Sequence, residues 1–545
     1  MSSVSPYSIK IYRKGYFVGG GTERSMTQVG GLFPATGALP IGRTAYRDGA
    51  NWPAAVIFTL PNYSSGFYVV RLEDTATPPN TVDVPFMMRS PTPSKSKILL
   101  VTADVTFTAY NDWGGRSVYG YADAADDGTR ALHAGWPSAT AARIPFGFNL
   151  SFQRPVGYAQ FNSSDESDLP FLTWLGRQGI PVDVSTSRDL HFAAPSASNY
   201  RLVLFVGHHE YWTREMRDNV EAFARAGGNV GIFSGNTCWW QVRLSNDGEN
   251  MECYKIKGFD YVALSNPPYT SVNWWDDPVF RPETSMTGLS FYDSGQGSGF
   301  FDDQSHRFSV VNQSHWALAN TGLVLGQEFG DYVDGSDVKS VVGNEIDRFE
   351  PGGPTLPPGM QSPSNFARAA SVYADPVHNQ GEIGTMGSFV MLPGTGEVFN
   401  AGTVHWALGL ADPSPSNKIS RITLNVINRL GPGLHQSSPG PVSGLSVSKT
   451  GGLLRLDWTS VEAVAGPGTE YDVARGLLST LRSNGLPASA SCAANAVAGS
   501  PYTEGMSDCP TSQGNGCWYL VRAKNSVGLG TYGAAALDAS APCPP

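Results

Sequence analysis

Four side chains that could carry out chemistry each follow a different short apolar run of the sequence. They are Tyr110, Glu210, Asn236 and Glu345. Phenols and carboxylates bind hard metal ions, and carboxylates also transfer protons. Short unbroken apolar runs are typical of strands that are buried on both faces of a sheet. If these strands are parallel, their carboxyl ends meet at one edge, where open α/β sheets bind ligands.

The stretch 202–243 predicts how part of this edge is built. Leu202–Val206 and Asn229–Phe233 are short apolar strands, and between them Thr213 can cap a helix that stops at Gly227. A strand–helix–strand unit of this length forms a right-handed parallel crossover. The polar corners after both strands then lie at the same sheet edge. We expect one crevice to be faced by His208, His209, Glu210 and Asn236.

Each candidate also has a purely structural interpretation. Glu210 can be a hydrogen-bonded carboxylate at a sheet edge, and Tyr110 can belong to an aromatic loop. The pair His208 and His209 lacks the HExxH spacing of zinc proteases, so we expect one to pack and the other to line the crevice. Cys238 has no base nearby in the sequence, which disfavours a cysteine nucleophile.

The six cysteines predict disulfides. Cys238 and Cys253 bracket one loop, and a bridge that closes about 15 residues would add roughly 3 kcal/mol of stability. The other four allow three pairings, and no cysteine lies in a CxxC motif. This usage favours an oxidising compartment, so we expect a secreted or periplasmic protein, with a cytoplasmic location as the alternative. The four clustered cysteines are Cys492, Cys509, Cys517 and Cys543.

Composition excludes several classes of function. A net charge of −10 argues against a nucleic-acid partner, which requires a basic surface. No apolar run approaches the roughly 18 residues of a membrane-spanning helix. The first residues show no apolar signal-peptide core. With 62 glycines and 39 prolines, the 545-residue chain is expected to be rich in turns and strands and to contain several domains.

The order of elements predicts three domains and one linker. Residues 1–95 are expected to form a β-sandwich, and 96–432 an open, mostly parallel α/β sheet of the glutamine-amidotransferase or flavodoxin type. Residues 433–444 are a linker by composition, and 445–545 are expected to form a fibronectin type III-like sandwich. The central elements predicted are strands at 97–101, 182–185, 338–342 and 396–403 and helices at 166–178 and 419–430.

Several motifs, in the same order, resemble those of a known family. Over roughly residues 50–430 the sequence is similar to the large-subunit core of N,N-dimethylformamidase and its bacterial relatives. The motifs are TAYNDWGG (108–115), LPFLTWL (169–175), GHHEYWTREMRD (207–218), FSGNTCWW (233–240), GNEIDRF (343–349) and FNAGTVHWA (399–407). The resemblance implies an amidohydrolase with one iron ion held by two tyrosines and a glutamate.

The same motifs imply which residues hold the iron. The glutamate corresponds to Glu210 in HHEYW, and one tyrosine corresponds to Tyr110 in AYN. The other tyrosine matches best Tyr68 in SSGFYVVRL, with Tyr119 as the alternative. Phenolate and carboxylate oxygens are hard donors that suit ferric iron.

The motifs also imply the groups that act on the substrate. The family's active-site asparagine corresponds to Asn236, and its catalytic glutamate to Glu345, with His208 as a further catalytic candidate. Glu345 would move the proton to the departing amine, and Asn236 would bond the developing oxyanion.

Two features depart from the family and keep other functions open. The formamidase works with a small partner subunit, of which this sequence shows nothing. This sequence also adds a C-terminal sandwich that the formamidase core lacks. The main alternative is a non-catalytic binding or assembly protein on the same scaffold. A carbohydrate-active enzyme is a weaker alternative because no acid pair is recognisable. The identity of the small amide substrate and the oligomeric state, a homo-oligomer included, stay open.

Overall fold

The computed structural model describes residues 5–119, 147–155, 168–291, 306–349, 364–370, 382–431 and 439–543, with short gaps inside some of these ranges. The described chain is a β-rich mixed α/β structure made of several sheets. None of its described helices is both long and apolar enough to span a bilayer.

The N-terminal region forms one antiparallel sheet rather than the predicted sandwich. The apolar run at 54–60 forms no strand, and Ile57 within it is 88% exposed. The sheet instead packs one face on the central region, because Phe67 and Val69 join the same core as Trp174. The elements are β1 (Tyr7–Phe17), β2 (Gly21–Phe33), α1 (Ala45–Asp48), β3 (Gly66–Asp74) and β4 (Thr81–Met88), with sheet order β2-β1-β3-β4.

The central region contains most of the elements. Its strands and helices, in chain order, are β5 (Ile98–Thr102), α2 (Asp104–Tyr110), β6 (Asn149–Ser151), α3 (Asp168–Arg177), β7 (Asp183–Thr186), α4 (Ser187–Phe192), β8 (Leu202–His208), β9 (Tyr211–Thr213), α5 (Arg214–Arg225), β10 (Asn229–Gly235), β11 (Trp240–Leu244), β12 (Asn250–Glu252), α6 (Thr284–Thr287), β13 (Phe308–Val310), β14 (Glu328–Phe329), β15 (Asp331–Asp334), β16 (Asp337–Ser340), β17 (Ser364–Ala370), β18 (Glu382–Val390), β19 (Glu397–Asn400) and α7 (Lys418–Leu430). Short 3₁₀ turns lie at Lys257–Phe259, Pro267–Tyr269, Trp316–Leu318 and Trp406–Leu410.

Nine strands form the main sheet, in the order β14-β13-β17-β18-β19-β10-β8-β5-β7. The half from β19 to β7 is parallel, and the half from β14 to β19 is antiparallel. The predicted parallel sheet therefore exists in one half of a mixed sheet. Its likeness to flavodoxins or glutamine amidotransferases stays a prediction.

The β8–α5–β10 unit has the predicted form. All residues of β8 and β10 are buried, and the two strands pair in parallel, with Leu202 opposite Asn229 and His208 opposite Gly235. Helix α5 begins after Thr213, whose Oγ1 accepts a hydrogen bond from the Met216 N–H at 3.1 Å. Strand alternation gives each face of the sheet its own core.

Two small sheets flank the main one. The first has the order β6-β12-β11-β9 and lies beside the carboxyl end of β8. The second consists of β15 and β16 alone. The prediction that residues 338–342 form a strand leading from the main sheet to Glu345 is therefore wrong, because β16 pairs only with β15 among the described strands.

The C-terminal region forms two three-stranded sheets. Its elements are β20 (Ser443–Thr450), β21 (Leu453–Thr459), β22 (Glu470–Leu477), α8 (Leu478–Asn484), β23 (Ser491–Val497), β24 (Tyr502–Gly505) and β25 (Cys517–Lys524). The sheet orders are β20-β21-β24 and β23-β22-β25. Of the three possible pairings, the cysteines adopt Cys492–Cys543 and Cys509–Cys517. The fibronectin assignment and the domain boundaries stay predictions.

The predicted bridge between Cys238 and Cys253 is absent, and both thiols are free and buried. The β11–β12 hairpin explains this. Its register pairs Arg243 with Glu252, which places Cys253 level with Val242. Cys238 precedes β11, so the two sulfurs do not face each other. The loop is closed by the hairpin's backbone bonds instead.

Candidate metal centre and active site

The carboxyl end of β8 supplies the centre of the site. The strand ends at His208, and Glu210 follows in the corner between β8 and β9. The Glu210 N–H donates to Thr106 Oγ1 of α2 at 3.2 Å. Its carbonyl accepts from the N–H groups of Trp239 and Trp240 at 2.9 and 3.0 Å. Glu210 is 2% exposed, so its carboxylate is fixed inside the protein.

Tyr110 reaches Glu210 from the end of a helix. Helix α2 lies between β5 and this site, and Tyr110 is its last residue. The Tyr110 hydroxyl donates to Glu210 Oε2 at 2.6 Å. A helix end therefore places the phenol that the prediction assigned to a strand end.

Tyr119 brings the second phenol to Glu210. Its hydroxyl lies 3.0 Å from Glu210 Oε1 and 3.1 Å from the Tyr110 hydroxyl, and the two rings stack with centroids 4.6 Å apart. The segment 108–116, which precedes Tyr119, is held by the buried Arg154 guanidinium, which donates to four of its backbone carbonyls at 2.7–3.2 Å. Those carbonyls belong to Thr108, Asn111, Trp113 and Arg116.

Tyr68 lies elsewhere, so the predicted convergence of Tyr68, Tyr110 and Glu210 is wrong. The Tyr68 hydroxyl donates to the Ser64 carbonyl at 2.8 Å, and its ring stacks on Tyr63 and Phe86. Strand alternation is the reason, because Phe67 and Val69 on either side face the central core while Tyr68 faces away from it. The alternative residue, Tyr119, occupies the place beside Glu210.

Asn236 and Glu345 meet where β10 ends. Asn236 has a left-handed backbone with φ of 49° and its N–H donates to Asp347 Oδ1 at 2.7 Å. Its Nδ2 donates to Glu345 Oε2 at 3.1 Å. A Cβ at Gly235 would lie 2.3 Å from the Glu345 carbonyl oxygen, so only glycine permits this approach. Residues 345–347 are held by pairing with 402–404 after β19.

His208 connects the two carboxylates. Its Nε2 lies 2.5 Å from Glu345 Oε2 and 3.4 Å from Glu210 Oε2.

His209 points into the core, where its ring contacts Phe205 and Trp212. Burial lowers the pKa of His209 to about 3, which makes it a neutral packing residue. The structure thus brings together five of the six predicted site residues, namely His208, Glu210, Asn236, Glu345 and Tyr110.

The electrostatics of the site favour a bound cation. Burial, reinforced by the charge of Glu345, raises the pKa of Glu210. Burial and the charge of Glu210 raise the pKa of both Tyr110 and Tyr119 well above 10. A positive ion among these oxygens would oppose each of these shifts. The donor set therefore fits a metal ion.

Two sets of residues could hold such an ion, and they share Glu210. Tyr110, Tyr119 and Glu210 offer three oxygens, which suits a hard trivalent ion. His208, Glu210 and Glu345 also place one ligand atom each within 4.8 Å of one another. The phenol set leaves His208 and Glu345 for proton transfer.

Three residues next to this cluster were not predicted as site residues. They are Asp347, which holds the Asn236 backbone, Tyr211, which donates to the Tyr119 hydroxyl, and Lys255, whose ammonium lies 3.6 Å from the Tyr119 ring centroid. Tyr211 and Asp347 lie within the motifs HHEYW and GNEIDRF, which could have drawn attention to them. Lys255 lies in no motif.

A buried, oxygen-rich cluster at the carboxyl edge of an α/β sheet is the arrangement of a metal-assisted or acid–base active site. Residues 8–420 match the family described as N,N-dimethylformamidase beta subunit-like, C-terminal. The chain belongs to this family, as the motifs predicted.

One curated relative and one solved structure can be compared with it. The N,N-dimethylformamidase beta subunit of Alcaligenes sp is 24% identical over 442 residues, which are 70% of this chain and 54% of the relative. The chain thus spans about half the length of that relative. The structure of a β-galactosidase from Bacillus circulans sp. alkalophilus matches with 9% sequence identity. The match covers 78% of this chain and 41% of the β-galactosidase chain, but its TM-score of 0.31 supports no argument.

Proposed function

We propose that this protein is an iron-dependent hydrolase of a small linear amide. The observation that carries the proposal is the convergence of two phenols on one buried carboxylate, with Tyr110 Oη 2.6 Å and Tyr119 Oη 3.0 Å from Glu210 oxygens. Membership of the dimethylformamidase-like family supports the amide substrate. The ligands we propose are Tyr110, Tyr119 and Glu210.

A ferric ion held by these oxygens supplies, when bound, Lewis-acid activation of an amide carbonyl and of water. The protein's own groups handle the proton. Glu345, 2.5 Å from His208 Nε2, takes a proton from the attacking water and delivers it to the amine that leaves when the carbon–nitrogen bond breaks. His208 holds the Glu345 carboxylate in place during both transfers.

Asn236 orients Glu345 and the substrate. One Nδ2 proton is bonded to Glu345, which leaves the second proton for the oxygen of the substrate. Asn236 Oδ1 is buried and has no hydrogen-bond partner among the described residues. Since a buried acceptor without a donor is costly, the attacking water is a fitting partner, as is the N–H of an amide substrate that carries one.

The test combines metal content with turnover. Protein expressed with iron should contain one iron per chain and should hydrolyse N,N-dimethylformamide or a related small amide. Protein without bound iron and without turnover would favour the alternative, a binding or assembly protein on the same scaffold. A secreted or periplasmic location stays a proposal based on the cysteine usage.

A further inference from the structure

We propose that Tyr211 and Lys255 are positioning residues that fix the Tyr119 ring and withdraw electron density from its oxygen, and so set its strength as a metal ligand. This inference rests on the proposed function, because it concerns Tyr119 as an iron ligand. It assigns a role to two residues that lie outside the proposed ligand and proton-transfer sets.

The Tyr211 hydroxyl donates a hydrogen bond to the Tyr119 oxygen. Tyr211 is 1% exposed, and its backbone N–H donates to Thr106 Oγ1 at 3.3 Å. It lies on β9, which pairs in parallel with β11 so that Tyr211 is opposite Trp240. The donor hydroxyl is therefore held by a strand rather than by a loop.

Lys255 places a positive charge against the same phenol. Its Nζ lies 3.6 Å from the centroid of the Tyr119 ring, 4.6 Å from that of Trp240 and 5.2 Å from that of Tyr211. The residue is 9% exposed, and no carboxylate in the described part of the chain forms an ion pair with it. A buried ammonium is costly unless nearby negative charge or electron density compensates it, and here the charge of Glu210 and the faces of Tyr119 and Trp240 do so.

The backbone at Lys255 is constrained in a way that fits a functional position. Its φ of 61° lies in the left-handed region that a lysine rarely adopts. The neighbouring residues hold it there, because the Cys253 N–H donates to the Phe148 carbonyl at 2.8 Å and the Tyr254 N–H to Ser271 Oγ at 2.8 Å. Such strained residues concentrate at functional sites, where the surrounding structure maintains them.

The chemistry of a phenolate ligand connects these contacts to a measurable property. A hydrogen bond to the phenolate oxygen and a nearby positive charge both stabilise its electrons. The visible absorption of a ferric tyrosinate transfers an electron from the phenolate to the iron. When the phenolate's electrons are stabilised, this transfer requires more energy and the band lies at shorter wavelength. Removal of either Tyr211's hydroxyl or Lys255's charge should therefore shift the band to longer wavelength.

The experiment uses full-length protein loaded with ferric iron and records its visible and resonance Raman spectra. Tyr211→Phe and Lys255→Met should each retain iron and shift the band to longer wavelength, and the double variant should shift it further. Lys255→Arg, which keeps the charge, should return the band toward the wild-type position. Tyr261→Phe is the control, because it removes an exposed phenol bonded to Glu252.

The outcomes separate this inference from the proposed function. Wild-type protein with no tyrosinate band would remove the proposed metal centre itself. A wild-type band that stays in place in both variants would overturn only the roles of Tyr211 and Lys255. Loss of the folded state in both variants, seen in circular dichroism, would make them purely structural and would overturn the inference as well.

Discussion

Asn236 and Glu345 are 109 residues apart in the chain, yet the Asn236 carboxamide donates to the Glu345 carboxylate at 3.1 Å inside the protein. Glu345 lies on a segment that pairs with the chain after β19, and it reaches the end of β10 because Gly235 has no side chain. Two potential catalytic groups on separate segments are thus joined directly. Substitutions at these positions can therefore separate proton transfer from metal binding.

We expect Glu345→Gln to keep the iron and lose turnover. The amide retains the size and hydrogen-bonding capacity of the carboxylate but cannot carry a proton. A general acid–base group contributes about 10²–10⁴ in rate, so kcat should fall by that factor. Unfolding stability should change by no more than about 1 kcal/mol, because no cavity forms. Iron content, the visible spectrum and turnover of the amide are measured on the same sample.

Glu210→Gln is the matched comparison, and it should lose iron together with activity because a neutral amide oxygen is a poor ligand for a trivalent ion. Normal turnover by Glu345→Gln would assign the proton transfer to another group, such as His208. Loss of iron in Glu345→Gln would instead favour the ligand set of His208, Glu210 and Glu345.

The two candidate tyrosines can be distinguished by single hydroxyl deletions. Tyr119→Phe should bleach or shift the visible band, because the Tyr119 oxygen lies 3.0 Å from Glu210. Tyr68→Phe should leave the band unchanged, because its hydroxyl is bonded to Ser64. Absorption spectra of both variants at equal iron content test this. A band altered by Tyr68→Phe alone would contradict the observed placement.

The sequence was sufficient to predict the elements whose formation depends on residues close to one another in the chain. The apolar runs, the cap at Thr213 and the crossover rule predicted β8, α5 and β10 and the shared edge that carries Glu210 and Asn236. The motif resemblance supplied Tyr110 and Glu345. These residues lie within or directly beside buried strands or family motifs, and there the local sequence largely determines the structure.

The remaining errors concern contacts between segments distant in sequence. Tyr68 and Tyr119 both lie in aromatic, glycine-containing stretches, and only the strand alternation around Tyr68 and the hold of Arg154 on the loop decide between them. The pairing of Cys238 with Cys253 was inferred from loop length, but the hairpin register decides it. Single-sequence patterns contain no information on such tertiary contacts.

Thiol titration checks the revised cysteine assignment. In unfolded protein that has not been reduced, two thiols per chain should react, because Cys238 and Cys253 are free. Reduction should raise the number to six, as the two C-terminal bridges open. Folded protein should react slowly, since burial raises the pKa of both thiols to about 12. Fewer than two reactive thiols in the unfolded, unreduced protein would restore the bridge that the sequence suggested.

The C-terminal sheets are attached to the N-terminal sheet through Glu470, which allows a test of this junction. Its carboxylate pairs with Arg13 and with Arg24 at 3.1 Å, and Ser64 donates to it at 3.2 Å. Loss of one partner from a buried ion pair costs about 3–5 kcal/mol. We therefore expect Glu470→Gln to lower the free energy of unfolding by that amount in urea.

A control on the same region is the exposed pair of Arg455 and Asp457. Asp457→Asn should leave the unfolding midpoint unchanged within error, because exposed pairs contribute little. If Glu470→Gln were equally silent, the two regions would be held together by other contacts.

A last prediction concerns pH and the buried carboxyl of Glu283. This residue is 1% exposed, accepts a hydrogen bond from the Ser290 hydroxyl, and its Oε2 has no hydrogen-bond partner among the described residues. Burial raises its pKa from 4.5 to about 7. Between these values the folded protein holds a proton that the unfolded chain releases, so wild-type stability falls as pH rises from 4.5 to about 7.

Glu283→Gln should remove this loss, because the amide is neutral in both states. A raised pKa of this size corresponds to about 3 kcal/mol, at about 1.36 kcal/mol per unit. The variant should therefore gain about 3 kcal/mol relative to wild type between about pH 4.5 and 8, as measured by urea unfolding at both values. Glu249→Gln, which changes an exposed carboxylate, should give no such gain. A Glu283→Gln variant whose stability relative to wild type is the same at both pH values would show that the Glu283 carboxyl ionises normally in the folded protein.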